Sequence, residues 1–280
     1  MTDLTERERG EIERANESDR QPVVFVHGLW LLSSSWDPWR KMFEQRGYSA
    51  IAPAWPDEPP TVAEARRNPG VFAGKSVQQA TDRYLAAISM LDRRPLVVGH
   101  SFGGLIAQKI AGTGVSAATA AIVPAPFRGV LPLPRTALKS AYPVLGNPAN
   151  RRRAVALTFE QFNYGWTSQL PPDEARRLYD TFHVATSGLP LFEAATANLN
   201  PFTGAKVETT NPQRGPLLIV AGEKDHTVPW AISKASYKRQ SRNPAPTEIT
   251  ELENRGHSLI IDHGWPEVAE TVLAFFARQL

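Results

Sequence analysis

The chain of 280 residues contains no cysteine. That excludes disulfides, thiolate metal sites and a cysteine nucleophile together, and it fits a reducing compartment. No apolar run approaches the roughly 18 residues of a membrane span. The first twenty residues, MTDLTERERGEIERANESDR, are charged throughout and show no apolar core of a signal peptide. No internal repeat or low-complexity tract is present. Charge of one sign is also scarce: 31 Lys and Arg face 28 Asp and Glu, a net +3. So small and diffuse an excess does not argue for nucleic acid. The one dense basic cluster, Arg151 to Arg153, lacks interleaved aromatics and reads as a solvated helix face. These absences lead us to expect a cytoplasmic protein with residues 1–20 a mobile tail.

What is present is an alternation. PVVFVHG (Pro22 to Gly28), YSAIAPAW (Tyr48 to Trp55), PLVVGH, AATAAIVP, GPLLIVAGE and TEITELE read as strands. Several are unbroken apolar runs, which suits strands buried on both faces. Between and after them lie helical patterns. SVQQATDRYLAAISML opens on a capping serine, FGGLIAQKIA follows its strand directly, and WPEVAETVLAFFARQL carries proline in its first turn. The fold class is therefore α/β, a mostly parallel sheet flanked by helices. Residues 124–214 break the rhythm, with many prolines and two helical patterns, NRRRAVALTFEQF and PPDEARRLYDTFHVAT. Ninety residues is too long for a loop in a compact sheet. The expected division is a tail at 1–20, a core at 21–123 and 215–280, and a helical lid at 124–214 over the strand ends.

The stretch LVVGHSFGGLIAQ sets Ser101 between a strand and a helix with Gly99 and Gly103 two residues away on either side. Small residues there allow a sharp turn that projects the serine oxygen, with the N–H of Phe102 opening the helix beside it. A nucleophilic serine needs a base, and the base needs an orienting carboxylate. Downstream, LLIVAGEKDHTVP places Asp225 just beyond a strand, with Glu223 as rival acid, and ENRGHSLIIDH places His257 after the last strand. The order Ser, Asp, His suits successive strand-end loops. A second oxyanion donor, the N–H of Leu29, is expected in the HGLW loop after the first strand, with His27 bracing that loop. Apolar pocket walls are expected from Trp30, Phe159, Phe162, Trp166, Leu191 and Phe192. His183 reads as an ordinary packing residue, His226 as a rim residue, and Asp262-His263 lacks the further ligands a metal needs.

Together HGLW, GHSFGG, GEKDHTVP and GHS resemble the α/β-hydrolase superfamily over about Gln21 to Leu280, most nearly its bacterial esterases and cofactor-free haloperoxidases. The resemblance implies Ser101 as nucleophile, Asp225 as acid, His257 as base, and Leu29 with Phe102 as oxyanion hole. It places the lid after the family's sixth strand, and too few residues precede the HG strand for the family's leading hairpin. Serine at the elbow, where others carry aspartate, argues against dehalogenase and epoxide-hydrolase chemistry. Three readings stay open: hydrolysis of a small to medium apolar ester or lactone; C–C hydrolysis, perhydrolysis or acyl transfer by the same triad; and a ligand-binding protein that cuts nothing. Each implies a small-molecule partner, no metal and no cofactor.

Overall fold

A computed structural model describes residues 4–279. Its strands are β1 Gln21–Val26, β2 Tyr48–Ile51, β3 Leu96–His100, β4 Ala118–Ile122, β5 Ala154–Val155, β6 Thr186–Ser187, β7 Leu217–Gly222 and β8 Thr247–Leu252. Six of them form one parallel sheet in the order β2-β1-β3-β4-β7-β8. Val23 pairs with Leu96, Leu96 with Ala118, Thr119 with Leu217 and Leu217 with Thr247. The four central strands are buried almost throughout, as their unbroken apolar runs require, whereas β8 at the edge is only half-buried.

The helices are α1 Glu6–Asn16, α2 Asp37–Gln45, α3 Val62–Arg67, α4 Val77–Ile88, α5 Phe102–Thr113, α6 Arg135–Leu145, α7 Phe159–Phe162, α8 Pro172–Phe182, α9 Leu189–Ala195, α10 Trp230–Gln240 and α11 Trp265–Ala277. Ser76 caps α4 with a reciprocal bond from Gln79, and Pro266 sits in the first turn of α11. Among the described residues no helix is long and apolar enough to cross a membrane. Chain order reverses between β1 and β3, where a parallel α/β sheet opens a crevice at its carboxyl edge.

Two expectations need correction. The 1–20 segment is not a loose tail: Met1 to Asp3 lie outside the described residues, but residues 6–16 form α1, packed beside β2. Thr5 and Glu8 make a capping box, and Ile12 and Ala15 are buried. The charges that suggested mobility are used for docking. Glu8 is fully buried, meets Arg83 at 2.6 Å and accepts the N–H of Ala54 at 2.8 Å. Glu11 holds Arg40 at 2.9 Å. The second correction is NRRRAVALTFEQF, which is not one helix. Residues 148–152 form a 3-10 turn, Ala154 and Val155 pair antiparallel with β6, and Thr158 starts the separate α7 with its own capping box.

Burial pushes the Glu8 carboxyl up, but the Ala54 and Thr5 N–H groups and the Arg83 guanidinium together hold it below its ordinary value. Glu8 therefore stabilises the fold at neutral pH, and this contribution is lost as pH falls through the lowered value. Glu8→Ala, which takes this carboxylate from the buried Arg83, is expected to cost about 3 kcal/mol at neutral pH. Urea unfolding checks this, and the deficit relative to wild type should shrink on acidification.

Candidate active site

The turn after β3 holds Ser101 at φ 56°, ψ −119°, a strained conformation for a residue with a side chain. Backbone bonds hold it there: its N–H donates to Ile122 O at 2.9 Å, and its carbonyl accepts from Ala125 at 2.9 Å and Leu105 at 3.1 Å. The flanking glycines are required by contact. A Cβ on Gly99 would overlap the Gly103 carbonyl, and one on Gly103 would overlap that of Val26. A Cβ on Gly28 would lie 2.8 Å from His100 O and 2.9 Å from Ser101 Cβ, so the HGLW turn also passes close to the serine. Helix α5 begins at Phe102, so its first N–H groups, which have no intrahelical partner, open beside Ser101.

Ser101, Asp225 and His257 are brought together, all three buried. His257 Nδ1 donates to Asp225 Oδ2 at 2.7 Å, and Nε2 faces Ser101 Oγ at 2.9 Å. The other carboxylate oxygen accepts the N–H groups of Thr227 at 2.7 Å and Val228 at 2.8 Å, which fixes its plane. This leaves Nε2 as the acceptor for the serine proton, the tautomer being set by the carboxylate. The rival acid Glu223 is exposed and paired with Lys224 at 2.8 Å.

His27 braces the HG turn as expected, meeting the buried Glu58 at 2.7 Å and Gly28 O at 2.9 Å. His100 is a contributor the sequence reading did not single out. Its Nε2 lies 2.9 Å from His257 O and its ring 4.9 Å from that of His257. Burial, then the neighbouring His257, holds His100 well below the ordinary histidine range, so it is neutral and donates through Nε2.

The segment between β4 and β7 is tied to every loop of this site. Val184 N–H donates to Trp30 O and Trp30 Nε1 to Val155 O, both at 3.1 Å. Thr227 Oγ1 donates to Gly165 O at 2.8 Å, and Ser258 N–H to Trp166 O at 3.1 Å. Gly165 and Trp166 lie in a π-helical turn, Asn163–Thr167, that follows α7. That turn sets the Trp166 ring perpendicular to His257 at 4.7 Å.

A cleft of about 190 Å³ opens onto Ser101. Trp30, Phe102 and Leu191 line it as expected, together with Ala125, Val228 and Ile232. Phe159, Phe162, Trp166 and Phe192 do not line it, which corrects four of the six expected wall residues. Phe162 is stacked on Trp166 and edge-on to Tyr179 and His183, and Phe159 packs on Tyr179 beneath Arg176. Trp166 is spent on His257 and His100, and Phe192 packs against the main core. Aliphatics take their place: Val130, Leu131, Leu133, Leu138 and Leu145 line the cleft. Their signal was the alternation of proline and leucine after Phe127, which carries no periodicity. His183 is a packing residue, held neutral by burial with its pKa down at about 4, and its Nε2 accepts Leu157 N–H at 3.1 Å. Among the described residues no cluster of metal-ligating side chains occurs. Asp262 bonds Ser258 and Gly264, and His263 bonds Glu174.

A sequence model of the alpha/beta hydrolase family matches residues 23–271, and the chain belongs to that family. A non-heme chloroperoxidase of Burkholderia pyrrocinia is 35% identical over 102 residues. That match covers 34% of this chain and 33% of the relative, so it spans about a third of the relative's length. Solved structures match more extensively at lower identity. A monoacylglycerol lipase of Paleococcus ferrophilus has a TM-score of 0.62 at 20% identity, over 92% of this chain and 95% of that one. A pyrethroid hydrolase of Sphingobium faniae JZ-2 gives 0.61 at 17%, over 91% and 96%. A methylesterase from Arabidopsis gives 0.63 at 14%, over 92% and 99%. These likenesses establish the shared fold.

The elbow's packing predicts a contrast between adjacent glycines. Gly103→Ala must displace the Val26 carbonyl, a fixed strand atom, and should lower stability by about 3 kcal/mol or more. Gly104→Ala meets Pro124 Cα at 3.0 Å and should cost clearly less. Thermal unfolding of the two variants checks the ranking.

Proposed function

We propose that this chain hydrolyses a carboxylic ester or lactone of a small to medium apolar substrate. One observation carries the reading: an unbroken hydrogen-bonded chain from Asp225 through His257 to a strained Ser101 at the mouth of an apolar cleft. In the proposed reaction His257 Nε2 takes the Ser101 proton as Oγ attacks the carbonyl carbon. The oxyanion is received by the N–H groups of Leu29 and Phe102, each worth a few kcal/mol in such sites. Protonated His257, steadied by Asp225, then gives the proton to the departing alcohol oxygen and leaves an acyl-Ser101 ester. Water enters, loses a proton to His257, and releases the acid as that proton returns to Ser101. Every step is assigned to a group of the chain. Residues 124–214 act as the lid in this reading and supply most of the cleft's aliphatic wall. The names of the structural neighbours, a lipase, a pyrethroid hydrolase and a methylesterase, support the same class of chemistry.

The chloroperoxidase match favours one second reading, in which hydrogen peroxide replaces water at the acyl-enzyme and a peracid leaves. Both readings share Ser101 and differ in the acceptor.

A p-nitrophenyl ester series from acetate to dodecanoate tests the proposal. Turnover should peak at short to medium chains, as a cleft of about 190 Å³ allows. Ser101→Ala should lose about 10⁴-fold or more in kcat, and Asp225→Asn on the order of 10³- to 10⁴-fold. Wild type inert toward every ester, or turnover retained in Ser101→Ala, overturns the reading.

A further inference from the structure

The exposed large apolar side chains are not scattered. Among the described residues they are Met90, Leu131, Leu133, Leu138, Tyr142, Leu199 and Phe202. All except Met90 belong to the segment between β4 and β7. Leu131, Leu133 and Leu138 both line the cleft and stand at its outer rim, with Leu131 75% and Leu133 68% exposed. Tyr142 is 71% exposed on the outer face of α6. Leu199 and Phe202, 87% and 93% exposed, lie on a neighbouring loop. The Asn198 side chain ties that loop to Gly129 N–H at 2.7 Å and Val130 O at 3.2 Å. Soluble surfaces carry single apolar residues at random, but six of them gathered in one segment, three of these at a cleft mouth, mark a contact surface.

The stretch that supplies the rim leucines and α6 has charge of one sign: residues 123–145 carry Arg128, Arg135 and Lys139, and neither an aspartate nor a glutamate. The outer face of α6 presents Arg135, Leu138, Lys139 and Tyr142, all exposed. Cations on long stems beside a leucine and a tyrosine suit the boundary between lipid headgroups and acyl chains. A second copy fits poorly, because a two-fold contact through this face would set these cations against their own copies.

We propose that the rim of the cleft is a docking face for an anionic lipid bilayer. Leu131, Leu133 and Tyr142 enter the headgroup boundary, while Arg128 and Arg135 meet lipid phosphates. That the surface also delivers an apolar ester to Ser101 rests on the hydrolase reading; the docking itself does not.

Co-sedimentation of the full chain with vesicles of phosphatidylglycerol and phosphatidylcholine, against phosphatidylcholine alone, tests this. Wild type should partition onto the anionic vesicles at least about tenfold more strongly, and 0.5 M salt should remove most of the difference. Arg128→Glu/Arg135→Glu, and separately Tyr142→Ser/Phe202→Ser, should each lose about tenfold in partitioning. Their thermal midpoints and their turnover of dissolved p-nitrophenyl acetate should stay at wild-type values. Equal binding to both vesicle types, no binding, or a concentration-dependent dimer abolished by Tyr142→Ser/Phe202→Ser overturns the proposal. Vesicle binding by a wild type that cuts no ester would sink the hydrolase reading and leave the docking face standing.

Discussion

Helix α5 lies so close to β1 and β3 that no side chain fits between them at two positions. The Gly103 backbone occupies the space a Cβ on Gly99 would need, and the Val26 carbonyl occupies the space a Cβ on Gly103 would need. That contact forces the chain to leave β3 and enter α5 within one residue, and the residue at the corner is Ser101. Its positive φ is the cost of the turn, offset by the bond its N–H donates to Ile122 O and those its carbonyl accepts from Leu105 and Ala125. The HG turn after β1 is drawn against the same corner, where a Cβ on Gly28 would lie 2.9 Å from Ser101 Cβ. A serine in an ordinary loop could reach the same histidine, but it would not be held in one place while doing so.

The segment from β4 to β7 is part of this constraint rather than an appendage. It bonds the loop after β1 through Trp30, the acid loop through Thr227 and the histidine loop through Ser258. Each such bond is worth only about 1 kcal/mol, but each fixes a loop that holds a proposed working group. The rim, from Leu131 through α6, is joined to the acid loop as well. Ser140, at 2.7 Å from Thr227 Oγ1, is the contact that anchors α6 to the acid loop.

What could be read from the sequence was whatever rests on local rules. The apolar runs became the sheet, Ser76 and Pro266 marked helix starts, and the elbow with its downstream Asp225 and His257 followed from glycine spacing and strand ends. The failures were all matters of which partner a residue finds. Glu8 and Glu11 look like solvated charge until Arg83 and Arg40 are brought beside them by the fold. NRRRAVALTFEQF has helical composition, yet Ala154 and Val155 pair with a strand about thirty residues further on. Phe159, Phe162 and Trp166 are aromatic and near the site, but sequence does not say whether an aromatic faces a ligand or another ring. The role of His100 is not legible because a neighbour of the serine in sequence gives no sign that it touches the backbone of a residue 157 positions away.

That division between aromatic and aliphatic side chains has a physical logic. Aromatic pairs hold defined geometries, and here they form a frame: Phe162 on Trp166, Tyr179 on His183, and Trp166 against His257. Such a frame is suited to fixing the orientation of an imidazole. Aliphatic side chains on a proline-rich stretch have weaker directional preferences and fill irregular space. Proline restricts the backbone of residues 131–134 and so limits what exposing Leu131 and Leu133 costs in disorder. On the hydrolase reading proposed above, the cleft has an aromatic frame where the bond would be cut and an adaptable aliphatic wall where an apolar chain would lie. The adaptable wall is also the wall that reaches solvent, so the surface that would select a substrate is continuous with the surface that would first meet it.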